Sequence, residues 1–182
     1  MKKLMLIALL LLSPLAAWAG SDWTAPQNGL QTKIIAPSKT DPSKGSIAVK
    51  LHFKNVSKKN IRVYMINSEY FRCGQSDLVV TGSDGKVLSV QPAPLPHGIK
   101  ITEKDFHLIK PKQVKVFTQL LSLDQADIKK QQAVTAKWLY SNQVKDWPAR
   151  ETMEGKMPAL FGGKNIPFIW TGAITAESQI SF

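Results

Sequence analysis

The 182-residue sequence has one cysteine, Cys73, and three histidines, His52, His97 and His107. A lone cysteine rules out an internal disulfide framework. Cys73 is then either a small buried hydrophobe or an intermolecular or reactive thiol. No two histidines have a metal-binding spacing. The serine nucleophile motif G-x-S-x-G is missing, and Gly74-Gln75-Ser76-Asp77-Leu78 lacks its closing glycine. Gly162-Gly163-Lys164 is a fragment of a phosphate loop without the remaining spacing. Arginine is scarce, with only Arg62, Arg72 and Arg150 scattered along the chain. Phosphate recognition leans on arginine forks, so nucleic acid is not an expected partner. No stretch shows sustained helical periodicity. No apolar run beyond the N-terminal segment is long enough to span a bilayer.

The N-terminal segment is informative. Lys2 and Lys3 precede the uncharged run Leu4 to Leu12, and Ala17-Trp18-Ala19 supplies a small-x-small cleavage pattern. This is the expected form of a secretory signal peptide over 1–19. Ser13-Pro14 breaks the run too early for a spanning helix. The absence of cysteine at the cleavage region argues against a lipid anchor. Residues 20–182 are then expected to be one domain, periplasmic or secreted and not membrane-spanning. A domain of that length buries enough surface to stand without staples.

The formal charge is +11, and the two lysines of the signal leave about +9 for the rest. A basic balance favours anionic partners, so an anionic surface or polysaccharide is one partner class. A lysine-coated soluble surface explains the same charge.

Strand periodicity dominates. Ile47, Val49, Leu51 and Phe53 alternate with Ala48, Lys50, His52 and Lys54. A turn at Asn55–Asn60 precedes Ile61, Val63 and Met65. Leu78–Thr81 and Val87–Val90 flank Gly82-Ser83-Asp84-Gly85 as a hairpin. Phe106–Ile109, Val114–Gln119 and Val134–Tyr140 read as further strands, and Ile166–Phe182 as the closing one. Ser122-Leu123-Asp124-Gln125 fits a capping box that opens a short turn through Lys130. Pro92, Pro94 and Pro96 keep Gln91–Lys100 out of any central strand. Ser178 to Phe182 ends like an outer-membrane barrel strand, but the lysine-rich strands before it do not fit a lipid-facing barrel. The expected fold class is all-β: an antiparallel two-sheet sandwich with long irregular loops and little helix.

Four stretches carry a resemblance. "IAVKLHFKNVSKKNIRVY" looks like the B strand, turn and C strand of exported bacterial immunoglobulin-like domains. "DFHLIKPKQVKVFTQLL" is similar to their paired strands around a proline turn. "AVTAKWLYSN" resembles the penultimate strand and "IWTGAITAESQISF" the last. The resemblance implies an immunoglobulin-like sandwich. The Cys…Trp…Cys spacing of true immunoglobulin domains is absent.

Between Tyr140 and Ile166 runs a connection without strand or helix periodicity. Loops of that length are usually functional or disordered. This one is rich in apolar groups, which argues for order. Its candidate interaction residues are Trp147, Met153, Met157, Leu160 and Phe161, joined by Pro96 and His97 of the proline-rich loop. They either cap one end of the sandwich or meet a partner.

The expected function is non-catalytic binding of another extracytoplasmic protein, as its inhibitor or accessory subunit, with no cofactor and no catalytic residue. Two alternatives stand beside it. One is periplasmic copper handling through the soft ligands Met153 and Met157 with His97. The other is a hydrolase with no recognisable motif. Carboxylates such as Glu69, Asp77, Glu103 and Asp105 cannot be paired from one sequence.

Overall fold

The computed structural model describes residues 23–37, 46–65, 76–91, 101–152 and 155–182. The expected signal segment, Cys73, Pro96, His97 and Met153 lie outside those residues. In chain order the strands are β1 (Leu30–Ile35), β2 (Ser46–Asn55), β3 (Ile61–Tyr64), β4 (Ser76–Gly82), β5 (Val87–Gln91), β6 (Phe106–Ile109), β7 (Val114–Ser122), β8 (Ala133–Asn142), β9 (Arg150–Thr152), β10 (Gly155–Met157) and β11 (Gly172–Ser181). One helical turn, α1 (Gln125–Ile128), separates β7 from β8.

Period-two patterning builds two antiparallel sheets. β2 turns Ile47, Val49, Leu51 and Phe53 inward, and β8 turns in Val134, Ala136, Trp138 and Tyr140. β2 lies between β1 and β7, and β8 lies between β11 and β4, with β5 on the outer edge of β4. The inward side chains of both sheets meet in one core that includes Leu30, Leu51, Leu78 and Ile174. Each large apolar side chain taken from water there stabilises by about 1.5–3 kcal/mol. At the centre Phe53 makes edge-on contacts with Phe117, Trp138 and Tyr140, at 5.8, 4.9 and 4.8 Å between centroids.

The all-β expectation holds. Several local expectations need correction. The helical turn is capped by Asp124, whose carboxylate accepts from the Ala126 N–H at 2.7 Å. Ser122, read as the cap, is still the end of β7. The closing strand starts at Gly172, not Ile166, because Pro167 lacks a ladder N–H and residues 168–170 pair elsewhere. β1 and the small β9–β10 hairpin add strands beyond those expected. β3 and β6 form a separate two-stranded sheet.

The described part of the long connection forms a wide hairpin. Ile166 N–H donates to the Lys145 carbonyl at 2.7 Å, Leu160 N–H to the Trp147 carbonyl at 2.9 Å, and β9 and β10 close the tip. Its root is tied by Asn142, whose fully buried amide donates to the Trp170 carbonyl at 2.8 Å.

Candidate binding surface

The apolar residues of the connection divide into buried and exposed sets. Trp147 and Leu160 are each only 7% exposed. They pack with Tyr64, Phe106 and Ile166 in a second core beside the β3–β6 pair. Tyr64 and Phe106 stack at 4.6 Å, and Trp147 meets both rings edge-on at 6.0 and 6.2 Å. Burial of these side chains anchors the hairpin, and most of the surface of Trp147 and Leu160 is spent in that core, although Trp147 also lines an open cleft with Val144, Asp146 and Pro148. Met157 is partly buried against the same core. Phe161 is half-buried, its ring perpendicular to Phe106 at 5.5 Å.

The residue that does stand out is Phe168, 57% exposed. Its φ is +62°, and that of Phe161 is +51°. A bulky side chain in the left-handed region is a genuine outlier, costing about 1–3 kcal/mol, and persists only where its surroundings enforce it. Here Arg62 of β3 does the enforcing. Its N–H donates to the Phe168 carbonyl at 2.8 Å, and its carbonyl accepts from the Trp170 N–H at 2.9 Å. Its guanidinium donates through Nε to the Pro167 carbonyl at 3.2 Å and through a terminal nitrogen to the Phe106 carbonyl at 2.8 Å. The same group lies 5.0 Å from the centre of the Phe161 ring. Burial lowers the arginine's pKa, and the Glu103 carboxylate opposes that. Glu103 also accepts from the Phe161 N–H at 2.8 Å.

Phe168 separates two open clefts. One, of about 390 Å³, has an apolar floor of Ile61, Ile169 and Trp170 and a rim that includes Asn28 and Lys59. The other, of about 230 Å³, runs beside Lys145 and Asn165. Among the described residues no carboxylate or histidine lines either cleft. The surface therefore offers shape, an aromatic ridge and amide or ammonium donors, with no acid–base pair. No group of three or more His, Cys, Asp or Glu side chains placed to hold a metal occurs among the described residues; His97 lies outside them.

Neither described histidine lines the two clefts. His107 Nε2 is 2.8 Å from the Met65 carbonyl, which makes it the protonated nitrogen, and its ring meets Phe117 edge-on at 4.8 Å. Burial lowers its pKa below 6.5, outweighing the bond to Met65. Lys115 and Arg62 act with burial, and Asp105 acts against it. His52 is lowered too, by burial and then by Lys33 and Lys50. A histidine that protonates less readily when folded leaves the unfolded chain the better proton acceptor. Its stabilisation is complete above pH 6.5 and is lost as pH falls through 6.5 toward the folded value. The melting temperature should fall between pH 7 and 5.5. The His52→Gln, His107→Gln double variant should start lower and show a flatter slope over that interval. An equal slope in both proteins would assign the loss to other groups.

The sequence marked the neighbouring connection up to Ile166 and missed Phe168 and Arg62. The available signal was Ile166-Pro167-Phe168, where a proline interrupts the strand pattern next to a large aromatic. Among the described residues, no helix is long and apolar enough to cross a membrane.

No protein-family model matches the chain, and no curated protein matches it. A solved structure described as the X-ray structure of Northeast Structural Genomics Consortium target SoR45 is similar over 84% of this chain and 88% of that one, at 9% identity and a TM-score of 0.38. At that score the likeness carries no argument about fold or function.

Proposed function

We propose that the chain is an exported, non-catalytic binding protein built as an immunoglobulin-like sandwich. It docks another extracytoplasmic protein, as an inhibitor or accessory subunit, through the ridge around Phe168. The strand order supports the fold reading. β1-β2-β7 facing β11-β8-β4-β5 corresponds to an A-B-E sheet facing a G-F-C-C′ sheet. In that correspondence the C strand is β4, and β3 is an insertion that leaves to pair with β6. The pattern of residues 1–19 supports export.

The observation that carries the function is Phe168: a large aromatic held in solvent on unfavourable backbone, with a cleft on each side. Aromatic anchors beside pockets are the residues on which interface energy concentrates. The test uses three immobilised baits: the wild-type chain, Phe168→Ala, and a Val90→Ala control altered at an exposed position of β5. Each is exposed to envelope and medium fractions and read by quantitative mass spectrometry. A protein should be retained by wild type and control, with affinity for Phe168→Ala lower by about 30-fold, as for an anchor worth about 2 kcal/mol. Phe168 lends little to the core, so the variant should fold as the wild type does. Identical retention by all three baits would overturn the proposal.

A further inference from the structure

The outer face of the β1-β2-β7 sheet shows a second pattern. Three successive rungs of the register align Gln31 with Lys54 and Val114, Lys33 with His52 and Val116, and Ile35 with Lys50 and Thr118. Each rung thus carries one lysine and one exposed aliphatic group. Val114, Val116 and Ile35 are 45%, 43% and 37% exposed. No outward position of the three strands holds a carboxylate.

Trp23 lies on this face, with Lys33 Nζ 5.5 Å and Lys54 Nζ 5.3 Å from its ring centre. It meets the His52 ring edge-on at 6.1 Å. His52 Nε2 is buried and finds no hydrogen-bond partner among the described residues. The face is therefore cationic and apolar rung by rung.

We propose that this face binds an anionic lipid bilayer peripherally. Lysines near an anionic membrane each strengthen binding about fivefold. A tryptophan flanked by lysines and aliphatic groups suits the boundary between headgroups and acyl chains. An anionic polysaccharide would satisfy the lysines but would offer no acyl layer to Val114, Val116 and Ile35. The occupant chosen by charge and apolarity together is a lipid surface. This surface is distinct from the Phe168 ridge, so the two proposals stand or fall separately.

The experiment is flotation of the chain, purified after export, with vesicles of phosphatidylglycerol and phosphatidylcholine in equal parts or of phosphatidylcholine alone. All variants share one N-terminus, so differences among them report the sheet face. Wild type should float with the anionic vesicles only. Lys50→Gln, Lys54→Gln together should lower binding about 25-fold, being two lysines at about fivefold each. Lys129→Gln, Lys130→Gln, the same charge change elsewhere, should lower it less than threefold. Val114→Ser, Val116→Ser should weaken binding and make what remains vanish at 500 mM NaCl.

Three results would overturn the proposal. The first is no binding to anionic vesicles. The second is an equal loss from both lysine pairs, which would mean net charge alone. The third is unchanged binding after the valine substitutions, which would point to a polyanion site of the polysaccharide type.

Discussion

Trp138→Ala is expected to cost about 3–5 kcal/mol, the range for removing a large aromatic from a packed core. In a domain of this size that lowers the melting temperature by roughly 10–15 °C. Trp138 is fully buried in β8, between the two sheets. It meets Phe53 edge-on at 4.9 Å and leans on Tyr140 at 6.4 Å. Its indole N–H donates to the Ser76 hydroxyl of β4 at 2.9 Å. The alanine variant opens a cavity that Phe53, Tyr140 and the two sheets cannot all close. Trp138→Phe separates the contributions. It keeps most of the ring and deletes the N–H, so its cost should be about 1–2 kcal/mol. Chemical denaturation of both variants is the measurement. A loss below about 1 kcal/mol for the alanine would mean that the packing around Phe53 is not the centre of the core.

The second large effect is expected at Asn55, where β2 ends. This side chain is fully buried and makes four hydrogen bonds. Its amide donates to the carbonyls of Lys59 at 2.8 Å and Ile109 at 2.9 Å. Its carbonyl accepts from the Ser57 N–H at 2.9 Å and hydroxyl at 2.7 Å. One side chain therefore shapes the turn into β3 and ties it to the end of β6. Asn55→Ala strips partners from buried backbone groups, at about 1–3 kcal/mol for a group left unsatisfied. A total near 3 kcal/mol is expected. Ser57→Ala, which leaves the amide bonds in place, should cost about 1 kcal/mol. Asn55→Asp keeps the shape but sets a carboxylate against two carbonyls. At neutral pH it should be at least as unstable as the alanine. Acid should restore part of the loss, because a protonated carboxyl can donate one bond. Equal stability of Asn55→Ala and wild type in urea would show that the turn does not depend on this side chain.

The strands that sequence made legible are those with an unambiguous inward phase. β2 alternates aliphatic with lysine or histidine, and β4 and β5 are joined by a glycine-bearing turn. β8 carries Trp138 and Tyr140 on one face. β1 was hidden because a buried Thr32 occupies an inward position between Leu30 and Ile34. In β7 both phases hold apolar groups. Packing turned Phe117, Gln119 and Leu121 inward and left Val114 and Val116 outside, a choice that period two alone cannot make.

For the candidate site, aromatic abundance marked the connection up to Ile166 but did not separate core from surface. Trp147 and Leu160 are buried by the β3–β6 pair, which joins neither large sheet. No local pattern announces that pairing, because it depends on chain segments more than forty residues apart. Phe168 was concealed by its closeness to the closing strand, and only Pro167 hinted at the break.

One side chain joins the two hydrophobic clusters. Tyr140 belongs to the main core and stacks on Trp170 at 5.5 Å. Its hydroxyl reaches across to β3, accepting from the Tyr64 N–H at 3.0 Å and donating to the Tyr64 carbonyl at 3.3 Å. A phenol thus occupies the place of a neighbouring strand. The smaller cluster cannot swing away without breaking bonds made by a residue locked between the large sheets. The two clusters are therefore expected to melt together, and the segment bearing Phe168 to be held as firmly as the main core.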